Sequence, residues 1–185
     1  MMPKRKNIIK IAIDSPAAAG AGTLAKAISK NYNLFYLDTG KIYRLIAYIK
    51  IKFPEKFNIN FLKKKIKDLK VKDLEGKRLL SDEVGTEASI ISKNKDIRKL
   101  VYSFQHNFAY NPPKKYKGSC LDGRDITYNI IPDADFKFFI TANVKTRAQR
   151  RFKELQSLKQ EILYKEVLKS IKKRDKSDFN RKISP

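Results

Sequence analysis

Residues 8–28 read IIKIAIDSPAAAGAGTLAKAI. An apolar run from Ile8 to Ile13 ends in a turn of small and polar residues, Asp14 to Gly22, and a helical pattern begins at Thr23. Strand, tight loop and helix in that order are the layout of a phosphate-binding loop. Such a loop works because small residues let successive backbone N–H groups converge on a phosphate, while the following helix turns its positive end toward it. The spacing G-x-x-x-x-G-K-[ST] falls on Ser15 to Gly22, with Ser15 in place of the first Gly, Ala21 in place of the Lys, and Gly22-Thr23 after it. Ser15, Pro16, Ala17, Ala18, Ala19, Gly20, Ala21, Gly22 and Thr23 are therefore the candidate phosphate cradle. Taken by itself, the stretch also admits a plainer reading, an alanine-rich βα turn that binds nothing.

Outward from this stretch, strands and helices alternate. The pattern predicts a helix over 23–31 with Leu24, Ala27 and Ile28 on one face. A short buried strand follows at 34–37, ending in Asp38-Thr39-Gly40. A helix over 41–52 places Ile42, Leu45, Ile46 and Ile49 at helical spacing, and Phe53-Pro54 ends it. Residues 54–84 change character and read as a small inserted subdomain, with one helix near 61–69 and two short strand candidates flanking Glu75-Gly76. A helix resumes near Thr86. A longer one over 96–108 turns Ile97, Leu100, Val101 and Phe104 inward. Strands are expected at 118–121, ending in Asp122-Gly123-Arg124-Asp125, and at 135–141, with a loop or short helix over 126–134 between them. Helices over 144–158, carrying Arg147, Arg150 and Arg151, and over 161–174, with Leu163, Val167, Leu168 and Ile171 on one stripe, complete the order. Strands alternating with helices predict an α/β fold: a parallel sheet covered by helices on both faces. Ligands of such sheets bind at the carboxyl ends of the strands. The polar clusters Asp14-Ser15, Asp38-Thr39 and Asp122 to Asp125 all fall there.

A length of 185 residues suits one domain with a small insertion, and no apolar run approaches a membrane span. The basic start MMPKRKN is followed by too short an apolar run for a signal peptide. The single cysteine, Cys120, has no partner within the chain, fits a reducing cytoplasm, and reads as a small buried strand residue. The single histidine, His106, reads as a packing or surface residue on a helix. The net charge of +23 attracts polyanions in general. Its lysines are scattered through every segment, without a basic stripe interleaved with aromatics or a nucleic-acid-binding motif, so charge alone gives nucleic-acid binding little support.

The set IAIDSPAAAGAGTLAKAI, LDTGKIYR, Ala88-Ser89, Arg98, LDGRDITYNIIPDADFKFFITA, RAQRR and RDKSDFNR resembles bacterial cytidylate kinase, within the P-loop nucleoside monophosphate kinases. The motifs come in that family's order and cover almost the whole chain. The resemblance implies a three-layer P-loop NTPase-type fold over 1–185, with the insert at 54–84 as an extra nucleotide-binding subdomain and 159–182 as a helical lid. It implies transfer of the γ-phosphoryl of ATP, with Mg²⁺, to CMP or dCMP, giving the diphosphate, by a cytoplasmic monomer whose partners are small nucleotides rather than a membrane or nucleic acid. Such a reaction asks mainly for positioning and charge neutralisation.

Carried over residue by residue, Arg44 and Arg124 would grip the CMP phosphate. Asp125 would accept from the cytosine amino group, helped by Ser89 and Arg98, as a carboxylate does toward that group. Thr39 supplies a hydroxyl near the acceptor. Asp178 would hold the ribose hydroxyls, and Arg174 and Arg181 of the lid would act, with Arg124, on the phosphates in flight. Arg147 and Arg151 are candidates for the ATP side, and no side chain is assigned to a metal. From spacing alone, Arg44, Arg147, Arg150 and Arg151 read equally as solvated helix charges, and Asp125 and Asp178 as caps. Three departures stand out. Ala21 removes the cation that bridges the β- and γ-phosphates, and Lys26, more than a helical turn away, points elsewhere. Ser15 restricts the backbone if a positive φ is needed there. The chain stops at Pro185, where the family continues with a further strand and helix, so four strands with an uncovered edge are expected. A degenerate nucleotide-binding pseudo-kinase is the alternative these departures leave open.

Overall fold

Residues 8–67 and 69–180 are described by the computed structural model. They divide into two compact units, one of residues 8–39 and 101–142, the other of residues 40–100 and 143–180.

The first unit contains the whole sheet. β1 (Ile9–Asp14), β2 (Leu34–Asp38), β3 (Gly118–Gly123) and β4 (Phe136–Phe139) run parallel in the order β2-β3-β1-β4. β1 is buried through its last four residues and all of β3 is buried, as expected of central strands in a parallel sheet. The register pairs Asp14 with Gly123 and Asp38 with Asp122. The three polar clusters therefore lie at the carboxyl end of the sheet, where the crossover geometry of α/β folds places ligands. At the opposite end the strands are pressed together at Gly118: a methyl group there would drive into the Ile9 carbonyl. β2 and β4 are the outer strands, and β4 leaves Phe136, Phe138 and Phe139 exposed.

α1 (Ala21–Tyr32) packs Ala21, Ala25 and Ser29 inward, while Leu24 and Ala27 face out. This corrects the face expected from the apolar pattern. The tight loop fixes the phase of the helix, and the close approach to the sheet admits only small side chains. Ile28 alone of the expected three packs against the core, in a cluster with Ile11, Ile13, Leu34 and Cys120. Residues 101–110 close another side of this unit. Phe108 stacks on Phe35 at 5.2 Å, His106 lies between Tyr102 and Tyr110, and Ser119 Oγ donates to the Ala109 carbonyl at 2.7 Å.

The second unit is helical: α2 (Gly40–Lys52), α3 (Ile59–Ile66), α4 (Asp82–Ile91), the first part of α5 (Lys95–Tyr110), α6 (Val144–Ser157) and α7 (Tyr164–Phe179). Ile42, Leu45, Ile46 and Ile49 of α2 are buried, as their spacing predicts. The two strand candidates around Glu75-Gly76 are instead 3₁₀ turns, Val71–Leu74 and Lys77–Leu80. No described strand of this unit offers a ladder to join, so Leu74 and Leu79 are buried from short turns, and the Asp73 carboxylate accepts the Lys70 N–H at 2.9 Å. α7 runs five residues past the expected end and includes Asp178. No described helix is long and apolar enough to cross a membrane.

Replacing Gly118 by Ala is expected to destabilise the chain by about 3 kcal/mol or more, because the neighbour in the way is backbone. Urea unfolding followed by far-UV circular dichroism checks this.

Candidate active site

The loop after β1 turns on two left-handed residues, Ala18 (φ 58°) and Gly20 (φ 102°). Ser15 is not among the positive-φ residues, so a side chain at the first template position imposes no left-handed strain. The strain falls on Ala18, where it is worth about 1–2 kcal/mol. Gly20 caps α1 without any side-chain bond, and the helix starts at Ala21, two residues before the apolar pattern indicates. The first-turn N–H groups are thus left to a ligand rather than consumed by a cap.

Asp14 is buried and its carboxylate is fully engaged. Oδ1 accepts from the Ile126 N–H at 2.8 Å, and Oδ2 accepts from the Thr127 N–H at 2.9 Å and Thr127 Oγ1 at 2.6 Å. It holds the π-helical turn Ile126–Ile130 against the end of β1. Thr39, buried at the end of β2, donates to the Asp122 carbonyl from both its Oγ1 (2.7 Å) and its N–H (3.1 Å). Gly123 makes room for it, since a Cβ there would overlap Thr39 Oγ1. Asp125 is buried and accepts from Asn129 Nδ2 at 2.7 Å. Arg124 is half-buried, with Nη1 donating to the Gly123 carbonyl at 3.2 Å. The first unit therefore brings together the loop, Thr39, Arg124 and Asp125.

Asp122 is the unusual group. It is 9% exposed, and its Oδ1 has no hydrogen-bond partner among the described residues. Burial, and then the neighbouring Asp38, push its carboxyl up to about 7, against the opposing pull of Tyr36, Arg124 and Lys26. The motifs assign no role to Asp122 or to Tyr36, which lies within the strand expected at 34–37. The period of two places Tyr36 on the face of Asp38, and the register then pairs these two with Cys120 and Asp122.

In the second unit, backbone carbonyls and carboxylates hold the arginines. Arg44 Nη1 donates to Leu79 (2.7 Å) and Ser81 (3.2 Å). Gly85 leaves space for the guanidinium, since a Cβ there would come 2.9 Å from Arg44 Nη2. Arg98 is buried, donates to the Ser92 carbonyl at 3.1 Å and lies 5.9 Å from the Tyr43 ring centre. Arg147 makes a bidentate pair with Asp175 at 2.9 and 2.6 Å. Arg151 binds Glu154 (2.7 Å) and the Leu80 carbonyl (2.8 Å). Ser89 and Arg174 line one cavity of about 170 Å³ together with Lys93 and Lys173, and Arg174 faces Asp178 at 4.0 Å. Arg181 lies outside the described residues.

The family model for cytidylate kinase matches residues 11–185. This chain belongs to the cytidylate kinase family. A cytidylate kinase of Bartonella tribocorum is 44% identical over 180 residues, covering 95% of this chain and 80% of the relative. One from Mesomycoplasma hyopneumoniae is 38% identical over 198 residues, covering 100% and 83%, and one from Clostridium tetani is 38% identical over 189 residues, covering 96% and 81%. Within this cytidylate kinase fold, Ala21 is itself a core residue, packed with Ile11, Ile13 and Ala25. Lys26 extends to within 5.9 Å of the Tyr36 ring centre, toward Asp122.

The Asp122 carboxyl keeps its proton to about pH 7 when folded and loses it near pH 4 when unfolded. Between these values unfolding releases a proton, so a rise in pH removes stability. Asp122→Asn is expected to raise the melting temperature of the unliganded chain at pH 8, by a stability gain on the order of a few kcal/mol. The gain should shrink toward pH 5; thermal melts at the two pH values measure it.

Proposed function

We propose that this chain transfers the γ-phosphoryl group of ATP to CMP or dCMP, giving CDP or dCDP. The observation that carries the reading is the half-buried Arg124 followed by the buried Asp125 at the end of β3, beside a phosphate-type loop, in a chain matched from residue 11 to residue 185 by the cytidylate kinase family. A buried carboxylate is an acceptor without water to compete for it, which suits an exocyclic amino group. The Asn129 bond fixes its rotamer. Ser89 and Arg98 assist Asp125 on the base, and Thr39 supplies its hydroxyl near the acceptor. Arg44 and Arg124 take the acceptor phosphate, Asp178 the ribose, and Arg174 and Arg181 the transferred group. The carbonyls that hold Arg44 and Arg98 support these roles, because they orient the guanidiniums before substrate arrives and reduce the entropy lost on binding. Arg147 and Arg151 fit the ATP side through the order they impose on α6, with guanidiniums already engaged by Asp175, Glu154 and Leu80.

Phosphoryl transfer proceeds by in-line displacement and needs little from the protein beyond position and charge. Residues 15–23 would cradle the donor phosphates chiefly through the first-turn N–H groups and the positive end of α1, since Ser15 and Ala19 give their N–H groups to the Gly123 and Pro16 carbonyls and Pro16 has none. Magnesium normally reaches such a site on the nucleotide. Among the described residues no three carboxylate, His or Cys side chains gather to hold a metal alone. The unpartnered Oδ1 of Asp122, beside Asp38, is a donor set that fits a cation arriving with ATP phosphates, and these two residues would hold it directly or through water. When bound, Mg²⁺ would neutralise charge on the donor phosphates. Ala21 lacks the further cation usual at its position, and one such donor is worth roughly 10²–10³ in rate.

A coupled assay for ADP release with ATP, Mg²⁺ and CMP tests the reading. Turnover is expected in the unmodified chain and a gain in Ala21→Lys. Silence in both, with CMP still protecting the fold, would reduce the claim to binding. In a second test, Asp125→Ala should weaken CMP protection against thermal unfolding at least tenfold, while Lys→Ala changes on the surface leave it in place. An unchanged CMP affinity would sink the base assignment.

A further inference from the structure

The lysines are scattered along the sequence, but the fold gathers several of them on aromatic rings at one face of the second unit. Residues 50–67 hold seven lysines against one glutamate. Phe53, just after α2, and Phe61, in α3, meet edge to face with ring centres 5.8 Å apart. The Lys65 ammonium lies 5.4 Å from the centre of the Phe53 ring and 5.6 Å from that of Phe61, and the Lys52 ammonium lies 5.5 Å from that of Phe53. Among the described residues no carboxylate pairs with Lys52 or Lys65. An aromatic ring orders an ammonium and leaves its charge in place, whereas a carboxylate cancels it. Lys50, held by Glu87 at 2.7 Å, is the cancelled case on the same stretch. Lys56, Lys63 and Lys64 are exposed. Cations ordered side by side and left uncancelled repel one another, and a polyanion relieves that repulsion.

The same stretch borders a cavity of about 230 Å³, walled by Phe57, Ile59, Leu62 and Ile97 and lined also by Asn94 and Asp96. Asn94 spends its side-chain oxygen on the N–H groups of Asp96 and Ile97, at 2.9 and 3.1 Å, which leaves its amide N–H₂ as a donor. The Asp96 carboxylate supplies an acceptor. Apolar walls with one donor and one acceptor suit a nucleobase that carries an exocyclic amino group. The carboxylate repels an anionic lipid headgroup, so the cavity favours nucleic acid over a membrane surface. We propose that this face binds single-stranded nucleic acid, with Lys52 and Lys65 on its phosphates and one amino-bearing base in the cavity. The strand must be single, because only an unpaired base can enter a cavity. None of these residues has a part in phosphoryl transfer, so the surface stands independently of the kinase reading.

The test is fluorescence anisotropy of labelled single-stranded RNA of about twelve nucleotides, titrated with the full chain at several salt concentrations. Oligocytidylate should bind, and more tightly than duplex RNA of the same length. Lys52→Ala with Lys65→Ala should flatten the slope of log affinity against log salt by about 0.7 for each lysine removed. Lys153→Ala with Lys169→Ala, exposed positions on α6 and α7, should leave the slope unchanged. Oligocytidylate should bind about tenfold tighter than oligouridylate, and Asp96→Ala should remove that preference without weakening oligouridylate. Asp125→Ala should leave RNA affinity as it is. Melting by circular dichroism checks that each variant is folded. No binding by the unmodified chain overturns the proposal, as does an equal effect of the two lysine pairs or a base preference that survives Asp96→Ala. Loss of RNA binding in Asp125→Ala would put the base in the acceptor site and overturn it too. Retention on phosphatidylserine vesicles that depends on Lys52 and Lys65, with no RNA binding, would assign the face to a membrane surface instead.

Discussion

The pairing of β1 with β3 is the constraint on which the site in the sheet depends. Its register ends with Asp14 opposite Gly123, and the Ser15 N–H donates to the Gly123 carbonyl at 3.1 Å. The loop and the Asp122-Gly123-Arg124-Asp125 turn are therefore not independent pieces. The carboxylate of Asp14 continues the same lock by accepting three hydrogen bonds from Ile126 and Thr127, so the turn that carries Asp125 is bound to the residue that starts the loop. A one-residue slip of β3 would reverse the face of every side chain on it and break each of these bonds at once.

That lock concentrates unfavourable electrostatics at one point. Asp122 is buried with one oxygen unpartnered among the described residues and beside a second carboxylate, an arrangement that lowers the stability of the chain at neutral and alkaline pH. A fold seeking stability alone would place an apolar or amide side chain there. The alanines of the loop have a similar logic. Ala18 accepts a left-handed backbone and Ala21 packs against the sheet, so the loop holds its shape through sterics and packing, with one glycine at the helix cap.

The helical unit treats its charges differently. Arg44, Arg98, Arg147 and Arg151 are each tied to a carbonyl or a carboxylate. Such bonds fix long side chains in advance, so the ordering entropy of binding is reduced, at the expense of desolvating the guanidinium. The 3₁₀ turn Lys77–Leu80 of the insert serves this purpose directly: its consecutive residues Leu79 and Leu80 lend their carbonyls to Arg44 and Arg151.

The sequence by itself determined the family, the parallel sheet, the order of its elements and the placing of the polar clusters at strand ends, because apolar period and turn chemistry are local and the motifs lie within short stretches. The face of α2, with Ile42, Leu45, Ile46 and Ile49, was equally legible for that reason. Tertiary structure alone decided which face of α1 is buried, since the loop geometry and the closeness of the sheet, rather than the count of apolar residues, set the phase at Ala21, Ala25 and Ser29. It decided that the segments around Glu75-Gly76 are turns, because a strand exists only where another strand accepts its hydrogen bonds. It also decided that the half-buried Tyr36 and Asp38 come beside the buried Asp122. These residues are more than 80 positions apart at the extremes, and only the pairing of β2 with β3 joins them.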